Sequence, residues 1–102
     1  MHLIQLFLPL RDIAGAPFAP AMYGAVRTEL TDAFGGVTAY QRAPATGLWE
    51  DEDDAIQRDD LVLFEVMTDP LDRDWWKRYA AGLAKRFRQE EILVRALPCE
   101  WL

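Results

Sequence analysis

Apolar residues along this chain recur with a period of two in some stretches and of three to four in others, and each change of period marks an element. Leu61 to Met67, Leu-Val-Leu-Phe-Glu-Val-Met, is a strand-length apolar run with one charge in its middle, which reads as an interior strand. Leu3 to Leu8 alternates, with Ile4, Leu6 and Leu8 on one side and Leu3, Gln5 and Phe7 on the other, until Pro9 removes a ladder donor. Gly15 and Pro17 punctuate a loop, and helical spacing begins near Pro20. Tyr23, Val26, Leu30 and Ala33 form its apolar face with Phe34 flanking, and Gly35 and Gly36 stop it. Val37 to Ala43 alternates again and Pro44 closes that strand.

The long connection from Ala45 to Asp60 contains Trp49 and five consecutive acids, Glu50 to Asp54, whose mutual repulsion favours a solvated loop. It is not a calcium loop: no glycine occupies the turn position, and Val62 stands where a closing bidentate glutamate belongs. Beyond the Leu61 strand, Asp69-Pro70-Leu71-Asp72 reads as a helix start with Asp69 as cap and Pro70 at the first helical position. The helix is expected from Leu71 to about Arg88, with Trp76, Tyr79, Ala80, Leu83 and Phe87 as its stripe. Trp75 lies about 100° away from Trp76, so the two do not share one narrow stripe. Ile92 to Leu97 is the last strand, before the tail Pro98 to Leu102.

Strand, helix, strand, strand, helix, strand over residues 1–102 predicts one α+β domain. This order resembles the ferredoxin-like split βαβ arrangement over nearly the whole chain, by topology. The resemblance implies a four-stranded sheet of order 4-1-3-2 with both helices on one face, and the first and third strands are expected as parallel central neighbours. One parity is uniformly apolar: Ile4, Leu6, Leu8, Val62, Phe64, Val66, Ile92, Val94 and Ala96, which is the expected helix-covered core. The other parity carries Leu3, Phe7, Leu61, Leu63, Met67, Leu93 and Leu97, too apolar a patch to stand in water. A register that sets Gln5 beside Glu65 and opposite Arg95 brings Leu3 to Leu63 and Leu97, and Phe7 to Met67 and Leu93. It leaves Arg95, Gln5, Glu65 and either Tyr40 or Arg42 as a polar row across an apolar sheet.

Composition narrows the function. The formal net charge of -6 disfavours nucleic acid and anionic lipid, and Phe7 is the only open-face aromatic on the central strands, so the base-stacking of RNA-recognition sheets is not expected. His2 to Leu10 is strand-length with no preceding Lys or Arg and is followed by Arg11 and Asp12, which fits neither a signal peptide nor a membrane span. A single cysteine, Cys99, excludes an internal disulfide and a multi-cysteine zinc site, and makes a reducing cytoplasm the expected compartment. No metal or cofactor is expected. The lone His2 lies near Cys99 in this register, the one arrangement that would allow an imidazole-activated thiolate.

The polar row has two readings. Arg95 and Glu65 bridge through Gln5 and satisfy one another at an interface, or the row orients a small, mainly apolar ligand in a cavity. Face-to-face packing of such sheets resembles the dimeric α+β barrel superfamily. That resemblance implies a homodimer with a cavity in each subunit, and relatives that include cofactor-free mono-oxygenases, haem-degrading enzymes, isomerases and ligand-sensing domains. The expected function is therefore a homodimeric small-molecule binding or interaction module. The rival is a cofactor-independent enzyme whose cavity uses Tyr40, Arg42, Glu65 and Arg95, with Glu65 as a base whose pKa burial raises, and with Trp49 folded over the mouth.

Overall fold

The computed structural model describes residues 1–36, 38–44 and 60–102. Strand β1 (His2–Pro9) is followed by helix α1 (Pro20–Phe34), strands β2 (Thr38–Pro44) and β3 (Asp60–Thr68), helix α2 (Arg73–Arg86) and strand β4 (Leu93–Pro98). The α+β class, the two helices and the antiparallel sheet are as expected. The strands lie in the order β2-β3-β1-β4. Val37, Trp49 and the acid run Glu50 to Asp54, on which several expectations fell, lie outside the described residues.

The expected direction of the central pair is wrong: β1 and β3 are antiparallel, as are β1 with β4 and β2 with β3. A helical crossover returns the chain in its original direction, so α1 makes β1 and β2 co-directional, and β3 reverses out of β2. It must then run against β1. The reversal keeps Gln5 opposite Glu65 but exchanges the flanking pairs, so Leu3 faces Met67 and Phe7 faces Leu63. The β4 register stands as read, with Gln5 opposite Arg95, Leu3 opposite Leu97 and Phe7 opposite Leu93.

Parity decides the core. Ile4, Leu6, Leu8, Val62, Phe64, Val66 and Ile92 are buried with Val26 and Leu30 of α1 and Trp76, Leu83, Ala84 and Phe87 from α2 and its end. Val94 is half-buried against them, whereas Ala96 is exposed. Ala96 borders a shallow groove of about 160 Å³ with Leu71, Trp76 and Lys77, where a methyl group is too short to close the gap on an edge strand. In α1 the buried stripe runs through Val26 and Leu30 to Phe34; Ala33, expected in it, faces solvent because the fourth residue after Leu30 falls nearer the core than the third.

Phe34 joins the helices. Its ring stacks on Trp76 at 4.9 Å and meets Trp75 edge-on at 5.0 Å, while Trp75 stacks on Tyr79 at 5.0 Å. Both tryptophans are thus used internally, Trp76 buried and Trp75 at the margin. The same helices are pinned by Glu29, whose Oε1 accepts a hydrogen bond from the Tyr79 hydroxyl (2.8 Å) and lies 2.9 Å from Arg86 Nη1.

Helix α2 starts later than the sequence pattern suggests. Asp72, not Asp69, is the cap, its Oδ1 accepting from the Trp75 amide at 3.1 Å. Pro70 belongs to the preceding turn, where the Thr68 hydroxyl donates to its carbonyl. Asp74 in the first turn and Lys85 and Arg86 in the last complement the helix dipole. At the end of α1, Gly35 takes a φ of 81° and its amide donates to Thr31, the left-handed stop that glycine permits.

Two predictions follow from these contacts. Asp72→Ala lowers unfolding free energy by about 1 kcal/mol, whereas Asp69→Ala stays within about 0.5 kcal/mol of wild type in urea denaturation; equal losses would contradict the cap. For Glu29, partial burial raises the carboxyl pKa, but the Arg86 and Tyr79 hydrogen bonds and the Arg86 charge outweigh it and hold the group below its ordinary value. A depressed acid contributes stability above its unfolded pKa and loses it as pH falls through the folded one. Tyr79 is pushed the other way, by burial first and then by Glu29, so its contribution is present below its ordinary value of 10.0 and lost in stronger alkali. Glu29→Gln therefore loses about 0.2–1 kcal/mol near neutrality, and the deficit shrinks in acid. Urea midpoints measured across pH should show this, and a pH-independent deficit would rule it out.

Candidate functional site

The open face of the sheet, opposite the helices, is built from the odd-numbered residues of β1, β3 and β4. Phe7 and Leu61 are buried there, with Leu63 and Leu93 packed against them. Leu3 is half-buried, and Met67 and Leu97 keep 41% and 38% of their surface exposed. The face is therefore apolar at both ends, with a polar band between.

That band is a connected row. Gln5 Nε2 donates to Glu65 Oε2 at 2.7 Å, and Arg95 Nε donates to Gln5 Oε1 at 2.7 Å. An amide side chain is suited to this place, because it presents a donor to the carboxylate and an acceptor to the guanidinium at once. Both bonds are charge-assisted, hence their short lengths. The Arg95 guanidinium also lies over the Phe7 ring, 5.3 Å from its centroid. Glu65 Oε1 and the Arg95 Nη atoms take no hydrogen bond among the described residues.

The structure brings together three of the residues singled out from sequence, Gln5, Glu65 and Arg95. For Tyr40 and Arg42, also singled out from sequence, the ladder gives backbone positions alone. Thr38 is the β2 residue opposite Glu65, and Tyr40 is opposite Leu63. The register shifts between Tyr40 and Ala43, so Arg42 has no partner position in the ladder. This irregularity breaks the strict alternation on which the reading rested. Trp49 lies outside the described residues. His2 and Cys99 are neighbours through backbone only: the Cys99 amide donates to the Met1 carbonyl, and no hydrogen bond joins the two side chains among the described residues.

Sequence reasoning missed the groove at the end of the sheet where α1 stops. It holds about 480 Å³ and is lined by Leu3, Phe34, Gly35, Gly36, Glu65, Met67 and Trp101. Its walls come from both termini of the chain and the end of a helix, which no local pattern links. Among the described residues Glu65 is the one ionisable group on its lining. The arrangement thus offers, beside an apolar trough, a carboxylate whose Oε1 takes no hydrogen bond among the described residues. Among the described residues no cluster of His, Cys, Asp and Glu could hold a metal ion, and no helix is long and apolar enough to cross a membrane. Comparison with protein-family models, with curated proteins and with solved structures finds no match to this chain.

Gln5→Leu leaves the half-buried Glu65 without a donor, while water takes the place of Gln5 at the exposed Arg95, and lowers unfolding free energy by about 1 kcal/mol. Adding Glu65→Leu regains part of that loss, since no unpaired carboxylate remains. A double-mutant cycle in urea reads the coupling directly; strictly additive losses would show that the two side chains act independently.

Proposed function

We propose that this chain is a ferredoxin-like domain of the dimeric α+β barrel kind, which pairs with a second copy through its open sheet face and encloses a small-molecule site between the two. The observation that carries this reading is the composition of the face. Leu3, Leu63, Leu93, Met67 and Leu97 flank a polar row that is acidic at one end, Glu65, and basic at the other, Arg95. A two-fold axis near Gln5 sets Glu65 of one copy against Arg95 of the other, which is the self-complementarity an isologous contact needs. Both groups have capacity left for it, in Glu65 Oε1 and the Arg95 Nη atoms. The internal hydrogen bonds through Gln5 also reduce the desolvation cost of covering the row.

The groove beside Glu65 supports a second reading, a cofactor-independent enzyme with Glu65 as general base. It is supported by a carboxylate that borders an apolar trough and whose Oε1 takes no hydrogen bond among the described residues, a group able to take a proton from a bound ligand or to hold its hydroxyl or ammonium group.

Sedimentation velocity at micromolar concentration should give a dimer. Met67→Glu and Leu97→Asp alter side chains already partly in water, so they leave each protomer folded, and they shift the sedimentation coefficient to that of a monomer. A wild-type monomer would sink the interface. Glu65→Gln separates the two roles: weaker association by about tenfold or more supports the cross-subunit contact, while an unchanged dimer that has lost turnover supports the enzyme.

A further inference from the structure

A separate cavity lies on the other side of the sheet, under α1. It holds about 450 Å³, within the range of roughly 300–1,000 Å³ usual for ligand sites. Val62 and Phe64 of β3 form its floor with Phe18, and Leu10, Pro17, Pro20 and Tyr23 its walls. The walls are held firmly. Phe18 packs edge-on against Phe87 at 5.0 Å, the Tyr23 hydroxyl donates to the Pro9 carbonyl, and the Phe18 amide donates to Leu10. Asp12 braces the adjoining loop by accepting from the Ala14 and Ala16 amides.

Among the described residues, the charged groups on this cavity are Arg11 and Arg27, with no acid on its lining. In a chain of net charge -6 that is an unexpected concentration of positive charge. Arg27 has no hydrogen bond or ion pair among the described residues, and Arg11 spends one Nη1 donor on the Gly15 carbonyl. Asp12, which follows Arg11 in the loop, is engaged by backbone amides and by Arg88 at 3.6 Å. Gly24 adds a second sign. Glycine weakens a helix interior, yet a Cβ built on Gly24 meets nothing within 4 Å, so close packing does not account for it. It leaves room in the cavity wall.

We propose that this cavity binds a small apolar molecule bearing one carboxylate, its body on Phe18, Val62 and Phe64 and its head between Arg11 and Arg27. Guanidinium groups pair with carboxylates in a bidentate fork, and an apolar floor beside them selects against fully polar anions. A single carboxylate suits the donor supply, because Arg11 is already partly engaged. The site faces away from the open sheet face, so it stands or falls independently of the dimer.

The test uses decanoate as probe and decanamide, its uncharged counterpart, as control, in calorimetric titration of the full chain. One decanoate per chain is expected, with decanamide at least about tenfold weaker and Arg27→Gln weakening decanoate by about tenfold. Gly24→Leu fills the cavity and abolishes binding while the urea midpoint holds or rises, since leucine favours helix over glycine. Arg27 is exposed, so its variant folds whatever the fate of Gly24→Leu. No decanoate binding at millimolar concentration would overturn the proposal. So would equal affinity for decanamide, or binding that survives both substitutions.

Discussion

β1 lies between two antiparallel neighbours, and this single constraint organises the molecule. Each of its side chains heads a row that crosses β3 on one side and β4 on the other. The even rows, through Ile4 and Leu6, are buried beneath the helices in β1 and β3 and open only toward Ala96 on the β4 edge. The odd rows lie on the opposite face: Leu3 with Met67 and Leu97, the buried Phe7 with Leu63 and Leu93, and between them Gln5 with Glu65 and Arg95. Hydrophobic burial on the even side drives the sheet and helices together. The odd side inherits its composition from what remains, and it remains too apolar to be an ordinary water-facing surface.

Gln5 is what allows a charged row to exist there. A half-buried carboxylate on such a face meets a desolvation penalty unless it is hydrogen-bonded, whereas the Arg95 guanidinium keeps its contact with water. Set two strands apart with β1 between them, Glu65 and Arg95 are linked by an amide that donates to one and accepts from the other. A hydrocarbon at position 5 separates the charges, and a carboxylate there repels Glu65.

Parity was readable because the alternation is uninterrupted in β1 and β3, and a slip of one residue would turn every Leu and Val of the core outward. The direction of β3 was not, because its pattern is nearly symmetric about Glu65: Leu63 and Met67 are both apolar, so reversal leaves the row chemistry unchanged. Direction follows instead from connectivity, from how many crossovers and reversals precede the strand. The start of α2 was misplaced for a similar reason. Asp69 and Asp72 are both acids ahead of a helical stripe, and only the Asp72 bond to Trp75 tells them apart. In β2 the ladder is irregular between Tyr40 and Ala43, and a bulge resets alternation without changing composition, so the pattern of that strand does not by itself set which residue continues the row. The cavity under α1 was invisible because its floor, Val62 and Phe64, comes from a strand far along the chain from the Leu10 to Arg27 stretch that walls it. Its one local sign, a glycine inside a helix, has meaning only once the space beside it is known.

β3 belongs to both surfaces at once. Val62 and Phe64 floor the cavity under α1, while Leu63 and Glu65, the residues between and beyond them, form part of the open face. A strand so placed cannot slide or tilt for the benefit of one side alone, because each residue shift moves its neighbours across the other. Gln5 ties Glu65 to β1 and, through Arg95, to β4, so the open-face row braces the backbone that carries Phe64. Phe64 is in turn packed beneath helices locked to each other by Phe34, Trp76 and the Glu29 cluster. The cavity floor is therefore held from below by hydrogen bonds and from above by aromatic packing. Rigidity of this kind lets a shallow apolar site keep its shape empty, so that ligand affinity is not spent on ordering the protein.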